Sequence, residues 1–355
     1  VALIASSRYP VAEPFAGGLE AHVWHLARAL SGRGHCVTLF AAEGSDPTLP
    51  VEAIVAQLPS ISDAARADVS MPDERWLNEH HAYLSLMIAL CGTRAFDFDV
   101  VHNHSLHYLP VAMAPGLRRP MLSTLHTPPT PWLESAMQTA DGAPPGHRTR
   151  WVAVSEHTAG SWRRPARSVE TVPNGVALDR WSAGPGGGPL IWFGRLVPEK
   201  GADLAVAAAR AAGWPLQLAG PIVDSGWFEA KVAPHLSDTV RYLGHLDQAQ
   251  LSAAIGAASA TLVTPRWDEP YGLVVAESLA CGTPVVAFAR GGIPEIVDEQ
   301  SAVLVAGGDV AGMAAAIPAA VALDRDACRR RATRACSVEA MVDRYEDIYR
   351  QLLPA

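Results

Sequence analysis

Two carboxylates, Glu269 and Glu277, bracket a turn in the stretch TPRWDEPYGLVVAESLACG, Thr264 to Gly282. Pro270 keeps Glu269 out of helical geometry, and Glu277 is expected roughly two turns inside a helix that begins at about Gly272. The backbone N–H groups of Tyr271, Gly272 and Leu273 would be the first amides of that helix, unsatisfied and pointing outward. An anion suits such a helix start, and the flanking acids can take hydrogen bonds from hydroxyl groups. A phosphate joined to sugar hydroxyls is the ligand that fits.

Other candidate residues stand at the ends of short apolar runs. Arg195 and Lys200, in GRLVPEKG, follow the strand-like Leu190 to Phe193. Two cations there suit a diphosphate and could neutralise the charge of a departing one without a metal; a lone solvated Arg–Lys pair is the commoner outcome. Gly17-Gly18 precede an amphipathic helix reaching about Ser31, with Val23, Leu26, Ala27 and Leu30 at helical spacing. Paired glycines let a backbone approach a phosphate closely. The absence of G-x-G-x-x-G counts against a dehydrogenase. His102-Asn103-His104 could contribute to a zinc site, but no third ligand stands at a suitable spacing, so a structural or substrate-adjacent role is preferred. His126 directly follows the predicted strand Met121–Leu125, where open α/β sheets bind ligands. Taken alone it could equally be a loop histidine with no task.

The elements that must hold these residues alternate between strand and helix. Val1–Ala5, the helix after Gly18 and Cys36–Phe40 make a βαβ opening, and hence a parallel pair. Pro47 to Pro72 reads as irregular, and Asp73 as the N-cap of a helix to about Cys91. Thr127 to Arg150, rich in Pro and Gly, reads as a long functional loop that helps to form an acceptor pocket. Ser155 is expected to cap a helix, and VPNGV (172–176) to form a turn. The stretch AGPGGGP (183–189) has the composition of a linker, which sets the domain boundary between about 175 and 189. The alternation then resumes: a helix at about 201–212, strands Leu216–Ala219, Val240–Leu243 and Thr261–Thr264, and strand Val285–Ala287. Arg329 to Arg331 read as one solvated helix face. A last helix from about Ser337 to Leu353 carries Met341, Tyr345, Ile348, Tyr349 and Leu352 on one side.

A length of 355 residues suggests two domains. Hydrophobic content of 49% with 18% charged residues leaves ample core. The net charge of −8 argues against a nucleic-acid partner. Five scattered cysteines fit reduced thiols rather than a disulfide framework. No stretch reaches the roughly 18 apolar residues of a membrane span, and the chain opens on strand-like VALIA, so a cytoplasmic location is expected. Several tryptophans, among them Trp132, Trp151 and Trp267, would suit stacking on sugars or on an aromatic acceptor; core and rim packing is an equal reading.

Taken together, the E-x7-E setting EPYGLVVAES…CGTPVVA, GRLVPEKG, TLHTPP, VVHNH, PNGV and the early GG resemble the retaining glycosyltransferases of family 4 over nearly the whole chain. The resemblance implies the GT-B fold: two Rossmann-like α/β domains facing each other across a central cleft. It implies an acceptor domain at 1–178 with the helix 337–355 packing back on it, and a donor domain at 179–336. It further implies a nucleotide-diphosphate sugar as donor substrate, UDP before GDP, and a metal-independent front-face transfer to an acceptor hydroxyl with retained configuration. Arg195 and Lys200 would bind the diphosphate, Gly17 and Gly18 would face diphosphate and sugar, and Gly244 and Leu246 would hold the base through backbone groups. Glu269 would contact the transferred sugar, with the amides of Tyr271, Gly272 and Leu273 helping, and Glu277 the ribose hydroxyls. His126 would position the sugar and not act as a general base. Gly291-Gly292 would permit a tight turn near the sugar, with Glu295 no direct ligand.

Alternatives from other classes stay open on the residues. An epimerase or sugar phosphorylase could use the same architecture, and a silent nucleotide-binding subunit the same fold. A membrane-surface transferase usually needs a basic amphipathic helix, and the first half offers no clear one. Hydrolysis by paired carboxylates is discounted, because cations and anion-binding turns imply a leaving group that departs charged.

Overall fold

The computed structural model describes residues 1–54, 61–70, 73–141, 149–162 and 168–353. They form two compact units: one takes in 1–154, 159–172 and the chain from 342 on, the other 155–158 and 173–341.

The first unit is built on seven parallel strands: β1 (Ala2–Ile4), β2 (Thr38–Ala41), β3 (Val51–Ala53), β4 (Val101–Asn103), β5 (Met121–Leu125), β6 (Arg150–Ala153) and β7 (Val169–Thr171). Their order is β3-β2-β1-β4-β5-β6-β7. Leu3 pairs with Leu39 on one side and His102 on the other, so β1 and β4 flank the point where the winding reverses. In such sheets the crevice at that point, beyond the carboxyl ends of the strands, is where ligands bind. The central strands are buried on both faces, which is why they read as short unbroken apolar runs.

The second unit has six parallel strands: β8 (Leu190–Phe193), β9 (Leu216–Ala219), β10 (Val240–Tyr242), β11 (Thr261–Val263), β12 (Val285–Phe288) and β13 (Ala302–Val305). The order β10-β9-β8-β11-β12-β13 puts its reversal between β8 and β11. Leu190, Leu218, Leu262 and Val286 share one core with Val206 and Ala209 of the helix Ala202–Ala212. Each fully buried aliphatic side chain of this kind contributes about 1.5–3 kcal/mol.

Four sequence expectations are corrected. Within Pro47–Pro72, Val51–Ala53 adds β3 to the sheet and Ser62 caps the turn of helix Asp63–Arg66; residues 55–60 and 71–72 lie outside the described residues. Within Thr127–Arg150, Pro131–Asp141 is helical, because Leu133, Ala136 and Met137 pack with Trp162 and Leu125 at helical spacing. Pro131 suits a first helical position, and 142–148 lie outside the described residues. The glycine-rich stretch 183–189 is no free connector: Gly184, Gly186 and Gly188 donate to Cys281, Gly256 and Ala257 of the second unit. A Cβ on Gly184 would lie 2.3 Å from the Gly256 backbone, so close approach rather than flexibility explains its glycine. Arg329 to Arg331 do not share a face, since consecutive helical residues are about 100° apart. Arg329 donates to Leu178, Trp181 and Ala280 carbonyls, Arg331 to those of Ile296 and Glu295, and Arg330 alone of the three faces solvent, pairing with Asp324.

Asp73 caps Glu74–Cys91 through its bond from Trp76 N–H, and Ser155 Oγ accepts from Thr158 N–H at 3.0 Å, as the sequence predicts. In the last helix, Val338–Leu352, Tyr345 and Tyr349 are buried against His102 of β4. No helix among the described residues is long and apolar enough to cross a membrane.

Candidate functional site

In the second unit the predicted residues gather at the carboxyl ends of β8 and β11, the reversal point of that sheet. Lys200 and Glu269 are 2.5 Å apart (Nζ to Oε1). Trp267 Nε1–H donates to the same carboxylate oxygen at 2.9 Å, and the Lys200 ammonium lies 5.2 Å from the centre of the Trp267 ring. Glu269 is buried, and Arg195 stands half-exposed with its guanidinium 3.8 Å from Glu199. The loops that carry these groups are bound to each other. Thr264 Oγ donates to Gly201 O at 2.7 Å, and Arg266 grips Asp203 bidentately at 2.6 and 2.8 Å while its amide donates to Glu199 O. Gly201 takes φ +71°, and a Cβ there would lie 2.1 Å from Thr264 O.

The turn after Glu269 is held just as firmly. Gly292 N–H donates to Glu269 O at 2.7 Å. Ser155 and Thr158 hydroxyls donate to Pro270 O at 2.5 and 3.0 Å. Gly291, at φ +59°, leaves 2.1 Å between a would-be Cβ and Glu269 O, which accounts for the Gly291-Gly292 pair. Glu295 accepts from the amides of Glu156 and His157, so it fixes the segment bearing Ser155 and Thr158. Gly272 reaches φ +111° as the N-cap of Leu273–Ala280. Among the described residues, the amides of Tyr271, Gly272 and Leu273 donate no hydrogen bond, and orphan donors at a helix start offer an anion site. Glu277 is half-buried on this helix, and burial pushes its carboxyl up to about 7. Tyr271 points its ring inward, buried beside Cys336.

Gly244 belongs to the same rim. Gly194, Gly220 and Gly244 follow β8, β9 and β10, and all three have positive φ. Gly220 N–H donates to Gly244 O, and a Cβ on Gly220 would meet Gly194 O at 1.9 Å. The rim therefore runs without side chains from Gly244 to Gly194, next to Arg195. Leu246 is half-buried beyond it. Sequence reading took Ser155 only as a helix cap and missed Gly220, Thr158 and the Arg266–Asp203 clamp; Arg266 lies in the central stretch, but its partner does not, and only the fold brings these groups to their contacts.

In the first unit, Gly17 is the N-cap of Gly18–Gly32, after β1. His22 on that helix, His104 just past β4 and His126 just past β5 converge, with ring nitrogens within 4.8 Å of one another. This corrects the view that H-x-H lacks further ligands: the partners come from distant elements, and they join His104 alone. His102 is occupied by Tyr349 OH at 2.6 Å and Thr124 Oγ at 2.8 Å. His104 Nδ1 and His126 Nε2 are 3.0 Å apart with ring centres 5.3 Å apart, so the two nitrogens face each other along one line. A metal bound at about 2.0–2.1 Å from each nitrogen would need both rings to turn; a hydrogen bond fits as they stand. His104 Nε2 is buried without a partner among the described residues. A bare lone pair costs less there than an orphan N–H, which puts the His104 proton on Nδ1 and makes His126 Nε2 the acceptor. The proton of His126 then sits on Nδ1. Burial pushes His126 down to about 3, and holds His102 and His104 well below the ordinary imidazole range. Such a ring hydrogen-bonds at neutral pH but takes up a proton poorly.

Comparison with known proteins agrees with this geometry. Residues 16–180 match the model described as Glycosyltransferase Family 4, and residues 188–322 that described as Glycosyl transferases group 1. Glycogen synthase of Mycobacterium tuberculosis is 30% identical over 94% of this chain and 88% of its own length. Phosphatidyl-myo-inositol mannosyltransferase of Mycobacterium leprae is 30% identical over 93% of this chain and 89% of its own. Sucrose-phosphate synthase from Thermosynechococcus elongatus superposes with a TM-score of 0.74 at 22% identity, covering 99% of this chain and 98% of that one. Anabaena HepE in complex with UDP and glucose gives 0.74 at 17% identity, covering 99% of each. Two parallel sheets of seven and six strands, each with a polar rim at its reversal point, are thus the two Rossmann-like domains of a GT-B glycosyltransferase, and the chain belongs to glycosyltransferase family 4.

Proposed function

We propose that this enzyme transfers a sugar from a nucleotide-diphosphate sugar, UDP-linked in preference to GDP-linked, to an acceptor hydroxyl with retention of configuration and without a metal. The observation that carries the reading is the Lys200–Glu269 pair beside Arg195 and the undonated amides of Tyr271–Leu273. Cations and amides at one strand end suit a diphosphate, and an acid within reach of it suits sugar hydroxyls. Arg195 and Lys200 take the diphosphate, Glu269 the transferred sugar and Glu277 the ribose. The bare rim at Gly244, with Leu246, takes the base. Gly17, Gly18 and His126 of the first unit serve diphosphate and sugar, His126 as a neutral hydrogen-bonding ring. The departing β-phosphate itself takes the acceptor's proton as the new bond forms on the face it leaves. The UDP named in the HepE complex supports the choice of base.

The test is a thermal-shift series with UDP, GDP, ADP and TDP and their sugars, followed by turnover with the best donor in EDTA and proton NMR of the product anomer. Stabilisation by UDP, turnover in EDTA and a retained anomer are expected. No stabilisation by any nucleotide overturns the reading, and an inverted product overturns its stereochemistry.

A further inference from the structure

Four aromatic rings in the first unit form a continuous stack that runs from its core to its surface. Tyr83, on the helix Glu74–Cys91, is buried and locked by two bonds of 2.9 Å, donating to Ala5 O and accepting from Ser7 N–H. His107 lies on it at 4.6 Å between ring centres and 21° between planes. Tyr108 lies on His107 at 4.9 Å and 25°, and Trp132 on Tyr108 at 5.3 Å and 24°. Trp132, in the first turn of Pro131–Asp141, remains 60% exposed. One face of its indole rests on Tyr108, and the rest is left to solvent. A side branch reaches Tyr108 from the half-exposed Trp76 through His80, whose Nδ1 is 3.2 Å from Tyr108 OH.

Near-parallel planes at these separations add attraction beyond burial alone, and anchoring at Tyr83 leaves the outer rings little freedom. An indole held flat and open in this way is already ordered, so a ligand that stacks on it loses little entropy. Above Tyr83, the stack is built by His107 and Tyr108 at the start of the helix Tyr108–Met113 after β4 and by Trp132 at the start of the helix after β5, beyond the same strand ends that bear His104 and His126. Beside it, Arg8 and Glu79 form a part-exposed pair at 2.9 Å, a donor and an acceptor suited to hydroxyl groups. The four stacked rings are themselves uncharged at neutral pH, burial pushing His107 down to about 4, so the platform suits a neutral ring better than a phosphate.

Resting on the transferase reading, we propose that Trp132 and the stack beneath it form the acceptor subsite, and that the acceptor group it takes is the apolar face of a neutral pyranose. The acceptor is then a saccharide and not a phosphorylated polyol.

The experiment uses the full chain and follows tryptophan fluorescence and calorimetry with methyl glucosides, methyl mannosides, maltose, maltoheptaose and inositol 3-phosphate, with UDP as a separate control. Neutral saccharide binding by the wild type, weakened about tenfold or more in Trp132→Ala and less in Trp132→Phe, is expected. The UDP-induced thermal shift should be the same in all three proteins. Equal saccharide affinity in wild type and Trp132→Ala overturns the proposal. So does failure of every neutral saccharide at about 10 mM while UDP binds, or a fluorescence response only to inositol 3-phosphate or anionic vesicles. Loss of UDP binding in the wild type would instead strike the transferase reading.

Discussion

Lys200 has a partner before any donor arrives. Its 2.5 Å contact with Glu269 neutralises a buried carboxylate, and the same ammonium is the group a diphosphate would claim. Lys200→Ala therefore removes a proposed phosphate ligand and, among the described residues, leaves the Glu269 carboxylate the Trp267 N–H alone. Its kcat/KM is expected to fall about 100-fold or more, with the far-ultraviolet circular dichroism unchanged; near-normal turnover would refute the assignment. Glu277 gives a pH signature. Its folded value, about 7, lies above the ordinary 4.5, so its stability contribution is full below about 4.5 and is lost as pH rises through about 7. Ribose hydroxyls favour the ionised form, so UDP affinity should rise about tenfold between about pH 6 and pH 8. Glu277→Gln should flatten both curves, measured by calorimetry and denaturant titration. His104 should set the protonated nitrogen of His126: nitrogen-15 spectra should show the Nδ1–H form in the wild type and the Nε2–H form gaining ground in His104→Phe.

At the scale of elements, close backbone approach matters more than any one side chain. Gly201 combines φ +71° with 2.1 Å of room, so Gly201→Ala should cost about 2 kcal/mol or more, read from denaturant midpoints, and should loosen the loop of Lys200. Legibility follows the same line. The inner strands declared themselves because burial on both faces demands unbroken apolar runs. Three strands escaped, β3, β7 and β13, each at a sheet edge; VEA and VET carry a central Glu that breaks the apolar run, whereas AVLV of β13 is an apolar run the reading passed over. The roles proposed for Glu269, Lys200 and Arg195 come from the resemblance, since a lone Arg–Lys pair in a loop is commonly just solvated. Their positions after strand ends were legible from the apolar runs before them. Ser155, Thr158 and Gly220 were not, since a hydroxyl on a distant carbonyl or a glycine under a neighbouring backbone leaves no local pattern. The Pro131–Asp141 helix was hidden by the prolines around it, although its buried Leu133, Ala136 and Met137 have the right spacing.

At the scale of the molecule, each unit has its own core, and the nucleotide-binding groups proposed for base, ribose and diphosphate belong mainly to the second. Saturating UDP should accordingly slow hydrogen exchange most in 190–296, and least in β2 and β3 of the first unit; uniform protection would argue against the assignment. Tyr345 and Tyr349 come late in the chain, yet they satisfy Thr124 and His102, buried hydroxyl and imidazole groups of a sheet whose strands are all complete by Thr171. During synthesis, Thr124 and His102 can bond each other early, but their second partners, Tyr345 and Tyr349, emerge only 221 and 247 residues later. The unit that begins earlier in the chain is therefore sealed later, and a chain stalled before Tyr345 would present a formed sheet with His102 and Thr124 only half-satisfied, a client for chaperones rather than a working half.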